Sequence, residues 1–190
     1  MAAAVDNSAP GGDHVRMTRK GLLSALIALL AVLALAAVAH ARSYAVPFAL
    51  GGTLDRRTRA ETKLAILLPR RLALDYGGRT HASGGGDRRS YSLSLASRRN
   101  CGGAGACFLA TFTAERGSRP SAGRKVRLRG GRTGYFVALS CGASCSPPSI
   151  EWRSRGNVYS IQARIPDSTA AAQQRRLVAA ANSALAAGPR

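Results

Sequence analysis

The sequence predicts an α+β protein: an antiparallel sheet of six to eight strands with a C-terminal helix packed on it, preceded by one N-terminal transmembrane or signal helix. Three observations predict it. An uncharged apolar run stands near the N-terminus, a series of short segments alternates apolar with polar residues, and the chain closes on an amphipathic alanine- and leucine-rich stretch. A chain of 190 residues has room for one ordinary domain with appendages.

The apolar run GLLSALIALLAVLALAAVA covers Gly21 to Ala39 without a charge. Arg16, Arg19 and Lys20 precede it, and Ala39-His40-Ala41 offers a small-x-small cleavage pattern behind it. A helix of these 19 residues is ~28 Å long, close to the ~30 Å hydrocarbon thickness, so the run is long enough for a membrane anchor. The cleavage pattern instead fits a signal peptide removed after Ala41. Met17 opens MTRK directly before the run, and a start there would give residues 17–41 the layout of a signal peptide. In both cases the basic flank keeps the N-terminus in the cytoplasm and sends the remainder outside. The expected organisation is a disordered cytoplasmic leader over 1–20, an anchor or signal peptide over 21–41, a juxtamembrane connector over 42–62 and an extracytoplasmic domain over 63–188.

The connector is broken early by Pro47, Gly51 and Gly52, and Thr53 is placed to cap a short polar helix running to Lys63. From Ala65 the punctuation becomes that of strands. They are expected at 64–68, 72–76, 90–96, 106–113, 124–129, 133–139, 149–153 and 157–165. Tyr91, Leu93 and Leu95 share one face opposite serines; Ala106, Phe108, Ala110 and Phe112 share another; Tyr159, Ile161, Ala163 and Ile165 do the same. Such period-2 alternation marks sheets with one buried and one wet face. Arg155-Gly156-Asn157 supplies a tight turn between the last two strands. Pro166 is followed by a helix capped at Asp167 or Ser168, with Leu177, Val178, Ala181 and Leu185 on its apolar stripe and Gly188-Pro189 at its end. Residues 80–89 (THASGGGDRR) read as a glycine-rich loop. The candidate core adds Leu67, Leu74, Val126, Leu128, Tyr135, Val137, Leu139, Ile150 and Trp152 to these strand and helix positions.

Four cysteines, Cys101, Cys107, Cys141 and Cys145, all lie beyond the apolar run. An even number in an exported domain implies disulfides. Proximity favours Cys101–Cys107 and Cys141–Cys145; cross-pairing such as Cys101–Cys145 closes a longer loop and stays open on entropy grounds. The spacings suit neither structural zinc nor a Cys-x-x-Cys redox motif. No metal or cofactor is implied.

Twenty-eight lysines and arginines stand against nine acids, a net charge of +19. All but three of the bases lie beyond the apolar run, and only Lys63 and Lys125 among those are lysine. Arginine bias with abundant alanine and glycine is also what a GC-rich genome produces. The most ordered cationic row is Lys125, Arg127 and Arg129, alternating with Val126 and Leu128 on one strand. It is the candidate anion-binding site, for lipid headgroups or wall polymers. Nucleic acid is not an expected partner, because few aromatics remain outside the core to stack on bases. Catalytic residues do not stand out. His81 with Ser83 and Asp87 is the one arrangement a hydrolase would have to use, and it lacks a nucleophile elbow. Neither GGAGA nor SGGGD carries the Lys-Ser/Thr of a phosphate loop. These features point to a membrane-tethered binding or structural module of the cell envelope.

The stretch SCGASCSPPSIEWRSRGNVYSIQARI, with the Leu/Ala helix through ANSAL, resembles uncharacterised exported and membrane-anchored proteins of high-GC bacteria. CGGAGACFLATF over Cys101 to Phe112 extends that likeness. More distantly, the pattern I-x-W-x3-G-x2-Y-x-I before a terminal helix is similar to the outer domain of unknown function on some membrane-bound anti-sigma and sporulation proteins. The likeness spans about 140–186 closely and 64–140 loosely. It implies an exported domain and brings no catalytic residues; the sigma-binding part of such proteins has no counterpart in residues 1–20.

Overall fold

Alternation in β4 (Ser90–Ala96) and β11 (Asn157–Ala163) buries Tyr91, Leu93, Leu95, Tyr159, Ile161 and Ala163 and turns the intervening serines and Gln162 outward. These strands lie within a seven-stranded antiparallel sheet of order β3-β4-β5-β11-β10-β7-β6. The other members are β3 (His81–Gly86), β5 (Phe108–Arg116), β6 (Arg124–Arg127), β7 (Thr133–Val137) and β10 (Ser149–Ser154). The computed structural model describes residues 41–101, 105–167 and 169–190. The leader over 1–20, the apolar run over 21–39 and the Ala39-His40-Ala41 pattern as a whole lie outside the described residues, as does Ser168. Among the described residues no helix is long and apolar enough to cross a membrane.

The hairpin between β10 and β11 turns on Arg155 and Gly156, with φ of 51° and 78°. Positive φ at both central residues gives the twist that a two-residue antiparallel hairpin prefers. Helix α3 (Ala170–Ala187) covers the buried side of the sheet with Leu177, Ala180, Ala181 and Ala184. Small side chains let it lie close to β10 and β11. Its N-cap is Thr169, whose hydroxyl accepts from the Ala172 amide at 3.3 Å. Asp167, expected as a cap, instead accepts from Arg176 at 3.0 Å, and its carbonyl accepts from Gln173 Nε2.

The expected connector over 42–62 is part of the folded body. It forms β1 (Ala41–Ala45), α1 (Val46–Leu50) and α2 (Gly52–Glu61), with Val46 and Leu50 in the core. Helix α2 starts at Gly52, so Thr53 lies within it rather than at its cap. β1 pairs with β2 (Arg71–Asp75), the segment expected to join the main sheet, in a separate two-stranded sheet. The Asp75 amide ties this small sheet to the Arg164 carbonyl just beyond β11. Residues 64–68, expected as a strand, are buried without a ladder. Their polar groups are met singly: the Leu64 amide by the Thr62 hydroxyl, the Leu67 amide by the Tyr91 hydroxyl and the Ile66 carbonyl by the Arg190 amide. Buried backbone must find partners one by one where no neighbouring strand supplies them.

The glycine-rich segment expected as a loop is edge strand β3. Its glycines serve close approach. A Cβ on Gly84 (φ +151°) would collide with the Ser92 carbonyl oxygen, and one on Gly86 would sit 3.0 Å from the Ser90 carbonyl oxygen and 3.1 Å from Thr62 Cβ. Helix α2 secures this edge: Glu61 accepts from the Gly86 amide at 3.0 Å and from Arg57 Nε at 2.8 Å. The Arg57 bond first, and then the Gly86 amide, hold the Glu61 carboxyl below its ordinary range. A depressed carboxyl contributes order above its unfolded-state pKa and loses it as pH falls through the folded value. Acidification should therefore free the Gly86 amide, and Glu61→Ala should free it at every pH. Its hydrogen exchange is expected to speed roughly tenfold, the scale of one charge-assisted bond. Unchanged protection of Gly86 in that variant would contradict the role given to Glu61.

Two parity shifts alter the core. In β5, Leu95 faces Ala110 but Ala96 faces Phe108, which makes Leu109 an extra residue at a bulge. The bulge turns Leu109 inward and Phe108 outward. In β7 the inward residues are Gly134 and Phe136, so Tyr135 and Val137 point to the opposite face and Leu139 is exposed. Val126, Val178 and Leu185 are half-buried against the core rather than within it.

Both disulfides are local, Cys101–Cys107 and Cys141–Cys145, as proximity favours. The second closes the tiny hairpin of β8 (Ser140–Cys141) and β9 (Cys145–Ser146). Each closes a loop worth ~2 kcal/mol in the chain-entropy picture. Two disulfides suit an oxidising, extracytoplasmic environment.

Candidate anion-binding face

One side of the sheet lies against α3; on the other, Glu151 is met by Ser121 and Gln162 by Ser146 and the Pro147 carbonyl, and the remaining side chains are exposed or half-buried. The antiparallel register sets its side chains in rows across the strands. One row runs Ser83, Ser94, Thr111, Gln162, Ser149 and Val137. The next runs Gly85, Ser92, Thr113, Ser160, Glu151, Tyr135 and Lys125. Ser83 and Ser92 are exposed, and Ser94, Thr111, Thr113 and Ser160 are half-buried. The Ser94 and Thr111 hydroxyls share a hydrogen bond of 3.1 Å. The middle of this face is thus a flat field of small hydroxyls.

Toward β6 the face becomes cationic. Lys125 lies opposite Tyr135 and Arg127 opposite Thr133, both exposed. Arg153 follows the buried Trp152 on β10, so alternation turns it to the same side. Arg119, from the segment after β5, and Arg132, just before β7, complete the group. Arg119, Pro120, Arg132, Thr133, Tyr135 and Arg153 line a shallow concavity of about 430 Å³. Glu151, the acid in the adjoining row, is engaged by the Ser121 amide at 2.6 Å and the Ser121 hydroxyl at 3.2 Å. Among the described residues, Arg119, Lys125, Arg127, Arg132 and Arg153 form no ion pair; the pairs are Arg57–Glu61, Arg164–Asp75 and Arg176–Asp167, elsewhere. Uncompensated guanidinium groups around a concavity attract carboxylates and phosphates and hold them through forked hydrogen bonds.

Of the row expected from sequence, Lys125 and Arg127 lie on this face and Arg129 does not. β6 ends at Arg127, Leu128 is buried, and Arg129 opens a 3-10 turn over Arg129–Gly131. The Arg129 amide donates to Asn182 of α3 at 2.7 Å, which holds its backbone against the helix, while its carbonyl accepts from Arg132 Nη1 at 3.4 Å. Arg124 lies over the ring of the buried Phe136 at 5.6 Å and shields the core from the edge. In exchange the fold brings in Arg119, Arg132 and Arg153. Arg153 carried a sequence signal through its alternation with Trp152. Arg119 and Arg132 sit in connections, and only tertiary structure places them here.

A second concavity, about 330 Å³, opens on the same face around His81, Ser83, Ser94, Phe108 and Thr111, with Arg99 and Asn100 at its side. His81 is ordered on β3, and Ser83 joins it. Asp87, the acid expected to complete a hydrolase arrangement, does not line this concavity. Its carboxylate accepts from the amides of Arg89 and Ser90 at 2.7 Å each, and those bonds hold its carboxyl below the ordinary range. A third groove, about 480 Å³, is lined by Asp75, Leu139, Cys145, Arg164, Asp167 and Gln173 among others; its charges are largely paired with one another. No group of His, Cys, Asp and Glu among the described residues is arranged to hold a metal ion.

No family model, curated protein or solved structure matches the chain. The site is therefore read from its own geometry.

Proposed function

We propose that this chain is a non-enzymatic, extracytoplasmic binding module of the cell envelope that takes an anionic polymer or headgroup layer on the open face of its sheet. Residues 21–39 tether it to the membrane as a single pass with the later portion outside; cleavage following Ala41 would release the same module as a secreted one. The observation that carries this reading is the group of five cations that form no ion pair among the described residues, three lining the concavity beside Tyr135 and two on the adjoining strand, on a face with its neighbouring acid already engaged. The two disulfides support a place outside the cytoplasm.

The full chain in detergent should bind soluble polyphosphate with an affinity that falls steeply as salt rises. Arg119→Ala combined with Arg153→Ala should weaken binding about tenfold at low salt, or ~0.7 kcal/mol for each exposed guanidinium. Arg129→Ala should change little, since that residue does not line the concavity. Titration by calorimetry over a salt series measures both. Binding that ignores salt, or an equal loss in Arg129→Ala, would eliminate this reading.

A further inference from the structure

We infer that the polyanion is a sugar polymer, with one of its rings held in the second concavity beside Phe108. This rests on the polyanion reading of the same face and adds the chemistry of the repeat unit.

Phe108 is a half-buried aromatic ring beside the serines and threonines of the two central rows. The β5 bulge puts it there, by giving its inward place to Leu109. The preceding residue is held twice. Cys107 is bound to Cys101, and the Cys107 carbonyl accepts from the Ser97 amide at 2.9 Å. The concavity it lines carries the polar side chains of His81, Ser83, Ser94, Asn100 and Thr111 and the cation Arg99, together with Leu95, Ala96 and Cys101.

This set matches a sugar better than a bare phosphate chain. A pyranose presents a C–H face, which an aromatic ring covers, and a periphery of hydroxyls that both donate and accept. Serine, threonine, asparagine and neutral histidine side chains also do both. A phosphate chain offers acceptors only and has no use for Phe108. No acid lines the concavity, and Arg99 supplies one cation for a carboxylate on the ring. Its volume of about 330 Å³ falls in the ~300–1,000 Å³ range of small-ligand sites.

Placement joins the two sites. Three strand spacings separate β5 from β7 in the sheet order, or about 14 Å. Gln162 and Ser160 of β11 lie between them, with the Gln162 amide held by Ser146 and the Pro147 carbonyl. An extended polymer of acidic sugars would set a ring on Phe108 and lead its later carboxylates to Arg153 and Arg119. Two linked contacts bind together more tightly than either alone.

The test uses the full chain in detergent and two probes of matched charge number, an oligogalacturonate and a linear polyphosphate. The wild type is expected to bind both. Phe108→Ala should weaken oligogalacturonate binding about threefold to tenfold and leave polyphosphate unchanged. Asn100→Ala, at an exposed position outside the core, should shift the same way and guards against a folding defect in Phe108→Ala. Arg119→Ala with Arg153→Ala should weaken both probes. If oligogalacturonate is not bound, or both Phe108→Ala and Asn100→Ala leave its affinity intact while polyphosphate still binds, the sugar inference fails and the polyanion reading stands. If neither probe binds, or the double arginine variant weakens neither, the polyanion reading itself fails.

Discussion

Replacing Trp152 by alanine is expected to cost roughly 3–5 kcal/mol of folding stability, the scale of large-to-small changes in closed cores. Trp152 is completely buried and stacks on Tyr159 with ring centroids 5.8 Å apart. Across the strands it faces Gly134, whose missing side chain leaves room filled by Val126 and Leu128; a Cβ there would come within 3.0 Å of each. The indole therefore occupies the point where β10, β11 and β7 share their packing. Among the described residues its buried Nε1 has no hydrogen-bond partner. Trp152→Phe should consequently cost much less than Trp152→Ala, because it keeps a ring and removes an orphan donor. Urea unfolding of the three proteins measures the order. A loss below about 1 kcal/mol in Trp152→Ala would contradict the packing role.

Gly84→Ala is expected to cost about 2–3 kcal/mol, concentrated at β3. The φ of +151° is one that side-chain-bearing residues avoid, and the new methyl would strike the Ser92 carbonyl oxygen. Main chain must move to relieve it, and among the described residues β3 is an edge strand paired with β4 alone. Gly77→Ala is the control: nothing stands within 4 Å of its Cβ position. Thermal melting reports the overall loss, and hydrogen exchange along 81–86 reports where it falls. Because His81 and Ser83 ride on β3, the same variant should also loosen the concavity around Phe108. A Gly84→Ala protein as stable as Gly77→Ala would show that β3 tolerates the shift.

Strands with one apolar and one small polar face were readable from residues alone. Ser-Tyr-Ser-Leu-Ser-Leu in β4 and the Tyr159, Ile161, Ala163 series in β11 leave no doubt about which side is buried. The closing helix and the two local cysteine pairs were readable for similar local reasons. Tyr135, Phe136 and Val137 are all apolar, so alternation could not say that Phe136 goes inward. The outward turn of Phe108 depends on one extra residue in β5, visible only once its partner strand is known. The segment SGGGD looks like a loop because glycine usually means freedom; here it means contact with neighbouring backbone. Of the five cations, Lys125 and Arg127 were legible in their row and Arg153 through its alternation with Trp152. Arg119 and Arg132 come from connections with no periodicity to read.

The far border of the sheet has a bearing on crowding. β6 ends the sheet with Arg124, Lys125 and Arg127 along four residues, and such an end is otherwise a template for another copy's strand. Two molecules meeting there would set like charges side by side. Copies of this domain crowded together would thus stay separate bodies instead of fusing into a continuous ribbon.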